Sequence, residues 1–226
     1  MTTTKARSVD QMVEQQMNKW QMDRKKSQIE EYKRPMVVTV SREPGSGGRI
    51  IAEKIAARLG WDLFYQEVLN EMAKSAKVTK TFMDTLDEKG LNTLEEWISS
   101  LVHDRHLWPD QYLQHLMKVI GTIGKHGKVV VIGRGANFII PQERRVSVRV
   151  IAPLDARVKE IAKAFNLPAD EAERRAIHTE SNRKAAIRKY FNADIADPLN
   201  YDITVNTGML SLDQAVDVIC AAVHKE

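Results

Sequence analysis

Short runs of β-branched residues alternate along the chain with longer stretches in which apolar positions recur every three or four residues. Met36-Val37-Val38-Thr39-Val40 carries no charge, as expected of a strand buried on both faces. Lys128-Val129-Val130-Val131-Ile132 and Val146-Ser147-Val148-Arg149-Val150-Ile151 are two more short β-branched runs that predict strands. Asp62-Leu63-Phe64-Tyr65 and Tyr201-Asp202-Ile203-Thr204-Val205 are two further short strands by the same pattern. Between the first two runs, Ile50, Ile51, Ile55, Ala56 and Leu59 fall on one helical face that Gly60 closes. Residues 66–126 are mostly helical in pattern, with one stripe at Leu94, Trp97, Ile98 and Leu101 and another at Leu113, Leu116, Met117 and Ile120. Helices are also predicted from Leu154 to Phe165, over 169–190, and from Leu212 to Val223. Short apolar strands separated by helices predict an α/β fold: a five-stranded parallel sheet flanked by helices, with right-handed crossovers.

The first 34 residues stand apart. Val9, Met12, Val13, Met17 and Trp20 recur at helical spacing, and no glycine or proline intervenes before Pro35. This predicts a helical extension over 1–34 attached to a body over 35–226. Its apolar stripe is expected to dock on that body or on a second subunit, giving a homodimer or a partner contact. Acids interspersed among its basic residues argue against a helix lying on a membrane surface.

Composition narrows the class. The chain has 226 residues, 43% hydrophobic and 28% charged, enough for a substantial core without staples. Its one cysteine, Cys220, excludes a disulfide within the chain and a multi-cysteine zinc site. No apolar run reaches the roughly 18–20 residues of a membrane span, and no apolar signal core follows Met1. The expectation is a soluble cytoplasmic protein. Net charge is +4, but unevenly placed. Residues 1–34 hold eight basic and five acidic side chains, and residues 174–189 hold six basic against one acid, so the remainder is net acidic. Such local basicity suits one anion site better than a general polyanion surface.

The chemistry concentrates where the first strand hands over to its helix. Gly45-Ser46-Gly47-Gly48 puts three glycines in four positions, which lets backbone N–H groups close on an anion at a helix N-terminus. Phosphate is the natural ligand. A full P-loop, G-x-x-x-x-G-K-[ST], places lysine and then a hydroxyl after its last glycine. Here Gly48 and Arg49 occupy those positions, so Arg49 is expected to replace the lysine's charge from one residue later. No other group qualifies as well. His103 and His106 lack a third metal ligand at matching spacing, and Cys220 sits among core residues. Ser46 has no readable His–Asp partnership, and Met12, Met17 and Met22 fill gaps.

Val38 to Arg49, containing Ser41-Arg42-Glu43-Pro44-Gly45-Ser46-Gly47-Gly48-Arg49, resembles the opening motif of the cytidylate kinase-like proteins. These are relatives of the P-loop nucleoside monophosphate kinases with a degenerate phosphate loop. The likeness runs through Val131-Ile132-Gly133-Arg134-Gly135-Ala136-Asn137 to Asp197-Pro198-Leu199-Asn200-Tyr201-Asp202-Ile203-Thr204-Val205-Asn206-Thr207, covering residues 36–223. The resemblance implies a P-loop kinase fold with a mobile helical lid, about residues 169–197. It implies that Gly45, Ser46, Gly47, Gly48 and Arg49 bind ATP phosphates and that Arg134 binds the acceptor phosphate. It also implies that Arg183 and Arg188 close over the transferring group, with Arg49 sharing the catalytic role. Two departures from authentic cytidylate kinases stand out: Gly135 where those enzymes have an acid, and Tyr65-Gln66-Glu67 where they have Asp-Ser-Gly.

Three functions follow as expectations. The first is ATP-dependent phosphoryl transfer to a nucleoside monophosphate, CMP or dCMP, with ATP and Mg²⁺ as cofactors. No protein metal ligand is assigned, although Glu43 and Asp155 are candidates to touch magnesium through water. The alternative is a nucleotide-binding regulatory module with little or no kinase activity, consistent with Gly48 and Gly135. Nucleic-acid binding is the weakest, since the basic segment 174–189 has no interleaved aromatics.

Overall fold

The structure, a computed structural model, describes residues 9–24 and 36–223. Helix α1 (Val9–Arg24) precedes β1 (Val37–Arg42), α2 (Gly48–Leu59) and β2 (Asp62–Phe64). Then come α3 (Gln66–Lys74), α4 (Ala76–Met83), α5 (Glu88–Asp104), α6 (Gln111–His126) and β3 (Val129–Ile132). A short α7 (Ala136–Ile139), β4 (Arg145–Ile151), α8 (Leu154–Phe165), α9 (Ala169–Phe191), β5 (Ile203–Asn206) and α10 (Leu212–Val223) complete the chain. The five strands form one parallel sheet in the order β2-β3-β1-β4-β5. The α/β class and strand count agree with the hydrophobic pattern. β5 starts two residues later than the pattern predicts, because Pro198–Asn200 form a 3₁₀ turn and Tyr201 uses its side chain to bind other elements.

Both faces of the sheet are covered, which is why its central strands read as continuous apolar runs. Val38, Val40, Val130, Val148 and Val150 pack with Ile51 and Ile55 of α2 and Val216 and Ile219 of α10. Val37, Val129 and Val131 face the other way, onto Leu69, Met117 and Ile120 of the α3 to α6 layer. Ile50, placed by its spacing on the buried face of α2, is instead 45% exposed. It is adjacent to the buried Ile51, and successive helical residues differ by about 100°. Cys220 lies in the core, where burial raises its thiol pKa although Arg58 approaches it.

Helix α1 docks on the body. Trp20 is buried, stacks on His126 at 3.8 Å between ring centroids, and meets Phe82 edge-on. Gln16 and Lys19 both donate to the Asp62 carboxylate. The remainder of the predicted extension, residues 1–8 and 25–34, lies outside the described residues. No helix among the described residues is long and apolar enough to cross a membrane.

Candidate active site

In a parallel sheet the strand C-termini gather at one edge, and ligands bind in the crevice there. The register sets Val40 between Ile132 and Val148, so Ser41-Arg42, Gly133-Arg134 and Arg149-Val150 emerge side by side. From that edge Gly45 and Gly47 turn the chain with φ +79° and +74°, and Gly47 caps α2 without any side-chain bond to its N-terminal amides. Those amides are open to an anion, with about half a positive charge behind them. Ser46 is buried and donates its hydroxyl to the carbonyls of Glu43 and Val150, so it fixes the loop's shape. Thr207, after β5, donates to the Ser46 carbonyl from the other side.

Gly133, Arg134 and Gly135 all have positive φ, at +74°, +56° and +67°. A non-glycine residue held there costs about 1–2 kcal/mol, strain that tends to persist at functional sites. The Arg134 Nε is buried with no hydrogen-bond partner, as is the Thr39 hydroxyl, and both residues line one cavity. That cavity, of about 80 Å³, lies at the sheet edge with Arg42, Gln66, Arg134 and Arg183 on its walls. Tyr112, Ile187, Phe191 and Tyr201 supply apolar surface.

Helix α9 covers this cavity. Arg183 donates to the Arg42 carbonyl at 2.8 Å, and Phe191 stacks on Phe138. Burial, and then repulsion from Arg149, lower the Arg183 pKa. The absence of a side chain at Gly135 is explained locally, since a Cβ there would collide with the Phe191 ring. Arg188 is exposed on α9 and is not part of the cavity lining.

Arg49 also lies outside the cavity. Its guanidinium sits 4.4 Å from the centre of the Tyr65 ring and donates to Glu53 at 3.2 Å, with the side chain 61% exposed. Burial alone would lower its pKa, but the Glu53 bond together with Tyr65 and Glu67 raises it.

Glu43 braces the glycine turn against β4 and α8. Its carboxylate accepts from the Ala152 amide at 3.1 Å and sits 3.4 Å from Arg157 and 3.8 Å from Arg149. Among the described residues, no group of three or more His, Cys, Asp or Glu side chains is placed to hold a metal ion. Arg157 continues to Glu180 of α9 at 3.0 Å, which ties the glycine turn to the covering helix. Sequence reasoning passed over Arg42, Gln66, Arg149 and Arg157. Arg149 carried a usable signal, since an arginine inside a strand buried on both faces must have a specific partner.

A glycine turn opening a helix, beside an arginine-lined cavity under a covering helix at the edge of a parallel sheet, defines a P-loop kinase type of protein. Comparison with known proteins takes this further. The chain belongs to the cytidylate kinase-like family, whose model matches residues 37–209. The cytidylate kinase of Ignicoccus hospitalis is 24% identical over 183 residues, covering 81% of this chain and 96% of that one. The cytidylate kinase of Methanopyrus kandleri is 25% identical over 197 residues, covering 83% and 93%. Among solved structures, an uncharacterized protein from Eubacterium ventriosum shares the fold with a TM-score of 0.68 at 20% identity, covering 83% of this chain and 97% of that one.

Proposed function

We propose that the chain transfers the γ-phosphoryl group of ATP to a nucleoside monophosphate, with CMP or dCMP as acceptor. The observation that carries this reading is the meeting of Arg134 and Arg183 in one cavity beside the Gly45–Gly48 turn. The names of the relatives support cytidylate as the acceptor. The loop amides hold the donor phosphates, Arg134 the acceptor phosphate, and Arg183 the group in flight. An acceptor phosphate oxygen, already anionic, attacks the γ-phosphorus while the bond to the β-phosphate breaks and ADP leaves. No proton has to be removed, so the protein's part is positioning and charge. Mg²⁺ on the nucleotide phosphates would supply further neutralisation.

The cavity is far below the roughly 300 Å³ at which ligand pockets begin, so α9 has to move for a nucleotide to enter. Arg188, exposed on α9, reaches the phosphates only through such movement. ADP release, coupled to a spectroscopic readout, is measured with ATP and Mg²⁺ against a panel of nucleoside monophosphates. Release above the background ATPase rate with CMP or dCMP is the expected result. Release with another monophosphate alone would reassign the acceptor. Silence across the panel, with ATP still bound in calorimetry, would overturn the kinase reading in favour of the regulatory module.

A further inference from the structure

We propose that Arg42 supplies the phosphate-binding charge that lysine supplies in a full P-loop, entering the site from the end of β1 and not from α2. The proposal rests on the phosphoryl-transfer reading and assigns its missing cation.

Space is the first argument. At position 48, where the lysine would stand, an added Cβ would lie 2.5 Å from the Arg42 Cβ and 3.2 Å from the Val150 Cβ. The stem of Arg42 therefore occupies the room that a side chain at 48 would need. Farther out, a Cβ on Gly133 would lie 2.5 Å from the Arg42 Nη1. One arginine thus runs between two glycines, from the phosphate loop to the turn that carries Arg134. Its guanidinium ends on the cavity wall, between the donor and acceptor sides.

Charge is the second argument. The Arg42 guanidinium donates to the neutral Gln66 Oε1 at 2.6 Å. Arg183, Arg134 and Arg49 surround it with like charge, and Glu67 is the carboxylate that opposes them. Burial, and then these neighbours, bring its pKa down to about 9. Glu43 and Glu53, the nearest acids that follow it in sequence, are engaged by other groups. A partly buried cation with no carboxylate in direct contact is costly until an anion joins it. A phosphoryl group at the cavity would do so, and would gain a bidentate donor that a lysine cannot match. Arg49, by contrast, is exposed and already has its acid and its ring.

Arg42→Met keeps the stem and removes the charge. In the full-length chain its turnover with the active acceptor is expected to fall by about 10³-fold, the scale of an arginine that stabilises phosphoryl transfer. Arg49→Met is expected to cost about tenfold, and Arg42→Lys to recover part of the loss. The melting temperature without ligand should rise in Arg42→Met, because a partly buried charge with no carboxylate in contact has gone. The further rise that pyrophosphate gives the wild-type chain should disappear. Arg42→Gln, which keeps a polar group beside Gln66, provides the same comparison if the methionine variant does not fold. The reverse ranking of the two arginines, or a pyrophosphate shift retained without Arg42, overturns the proposal. If the wild-type chain transfers to no acceptor, loss of the pyrophosphate shift in Arg42→Met still supports the arginine's role, and the kinase reading fails on its own.

Discussion

Gly45→Ala is expected to destabilise the protein by about 3–4 kcal/mol and to abolish measurable ATP binding. Two separate costs combine at this position. The backbone sits at φ +79°, where an L side chain costs about 1–2 kcal/mol. An added Cβ would also lie 2.5 Å from the Arg157 carbonyl oxygen and 3.0 Å from the carbonyl carbon and Cα of the same residue. These are backbone atoms in the first turn of α8, so no rotamer change relieves the overlap, and overpacking of this kind costs about 1–3 kcal/mol. For a chain of this length 1 kcal/mol moves the melting temperature by about 2–4 °C, so a fall of roughly 10 °C is expected. Gly60 supplies the control. It has φ +66° with nothing within 4 Å of an added Cβ, so Gly60→Ala carries the backbone cost alone and should lose only about 1–2 kcal/mol. Thermal unfolding of both variants, with ATP titrations by calorimetry, separates the two costs. Equal losses at the two sites would refute the close approach of the phosphate loop to α8. The same approach explains the expected loss of binding, because relieving the overlap means shifting the turn and the α2 N-terminal amides away from α8.

The sheet was legible in the sequence because burial on both faces demands unbroken β-branched runs, and Val37–Val40 and Val129–Ile132 have them. The glycine turn was legible because positive φ at Gly45 and Gly47 favours glycine. The arginines were harder. Arg42 and Arg49 flank one motif, and spacing alone favours Arg49, which stands next to the lysine's place. Only packing shows that the stem of Arg42 fills the space at Gly48 while Arg49 turns out toward Glu53. For Arg183 and Arg188 the sequence held more than spacing along the chain revealed. Five residues along a helix rotate a side chain by about 140°, so both cannot face one cavity in a rigid α9. Glu43 illustrates a different limit. A carboxylate beside a phosphate loop reads as a magnesium contact until its partners are seen, and those partners come from β4 and α8, more than a hundred residues away.

Removing that carboxylate is the second large perturbation. Glu43→Ala is expected to cost about 3–5 kcal/mol, the range for breaking a buried ion pair from one side. The side chains of Arg149 and Arg157 are 5% and 8% exposed, so neither can recover its charge partner from solvent. The damage is unequal. Arg157 keeps Glu180 at 3.0 Å and the Ala152 carbonyl, whereas Arg149 keeps the Ser41 hydroxyl at 2.9 Å. The Ala152 amide also loses its acceptor. Glu43→Gln, which retains an oxygen for that amide, should lose less than Glu43→Ala. Adding Arg149→Met to Glu43→Ala should recover stability, because an apolar replacement of the stranded cation removes the uncompensated charge. Denaturant midpoints for the two single variants and the double give the coupling directly. A loss below about 1 kcal/mol for Glu43→Ala, or no recovery in the double variant, would show that the pair is not the clasp described. A confirmed coupling would have a consequence for catalysis. Glu43 joins the phosphate loop to β4 through Arg149 and to α9 through Arg157 and Glu180. Moving α9 away would then pull on the same carboxylate that holds the Gly45–Gly48 turn, so the two sides of the cavity would loosen or close together.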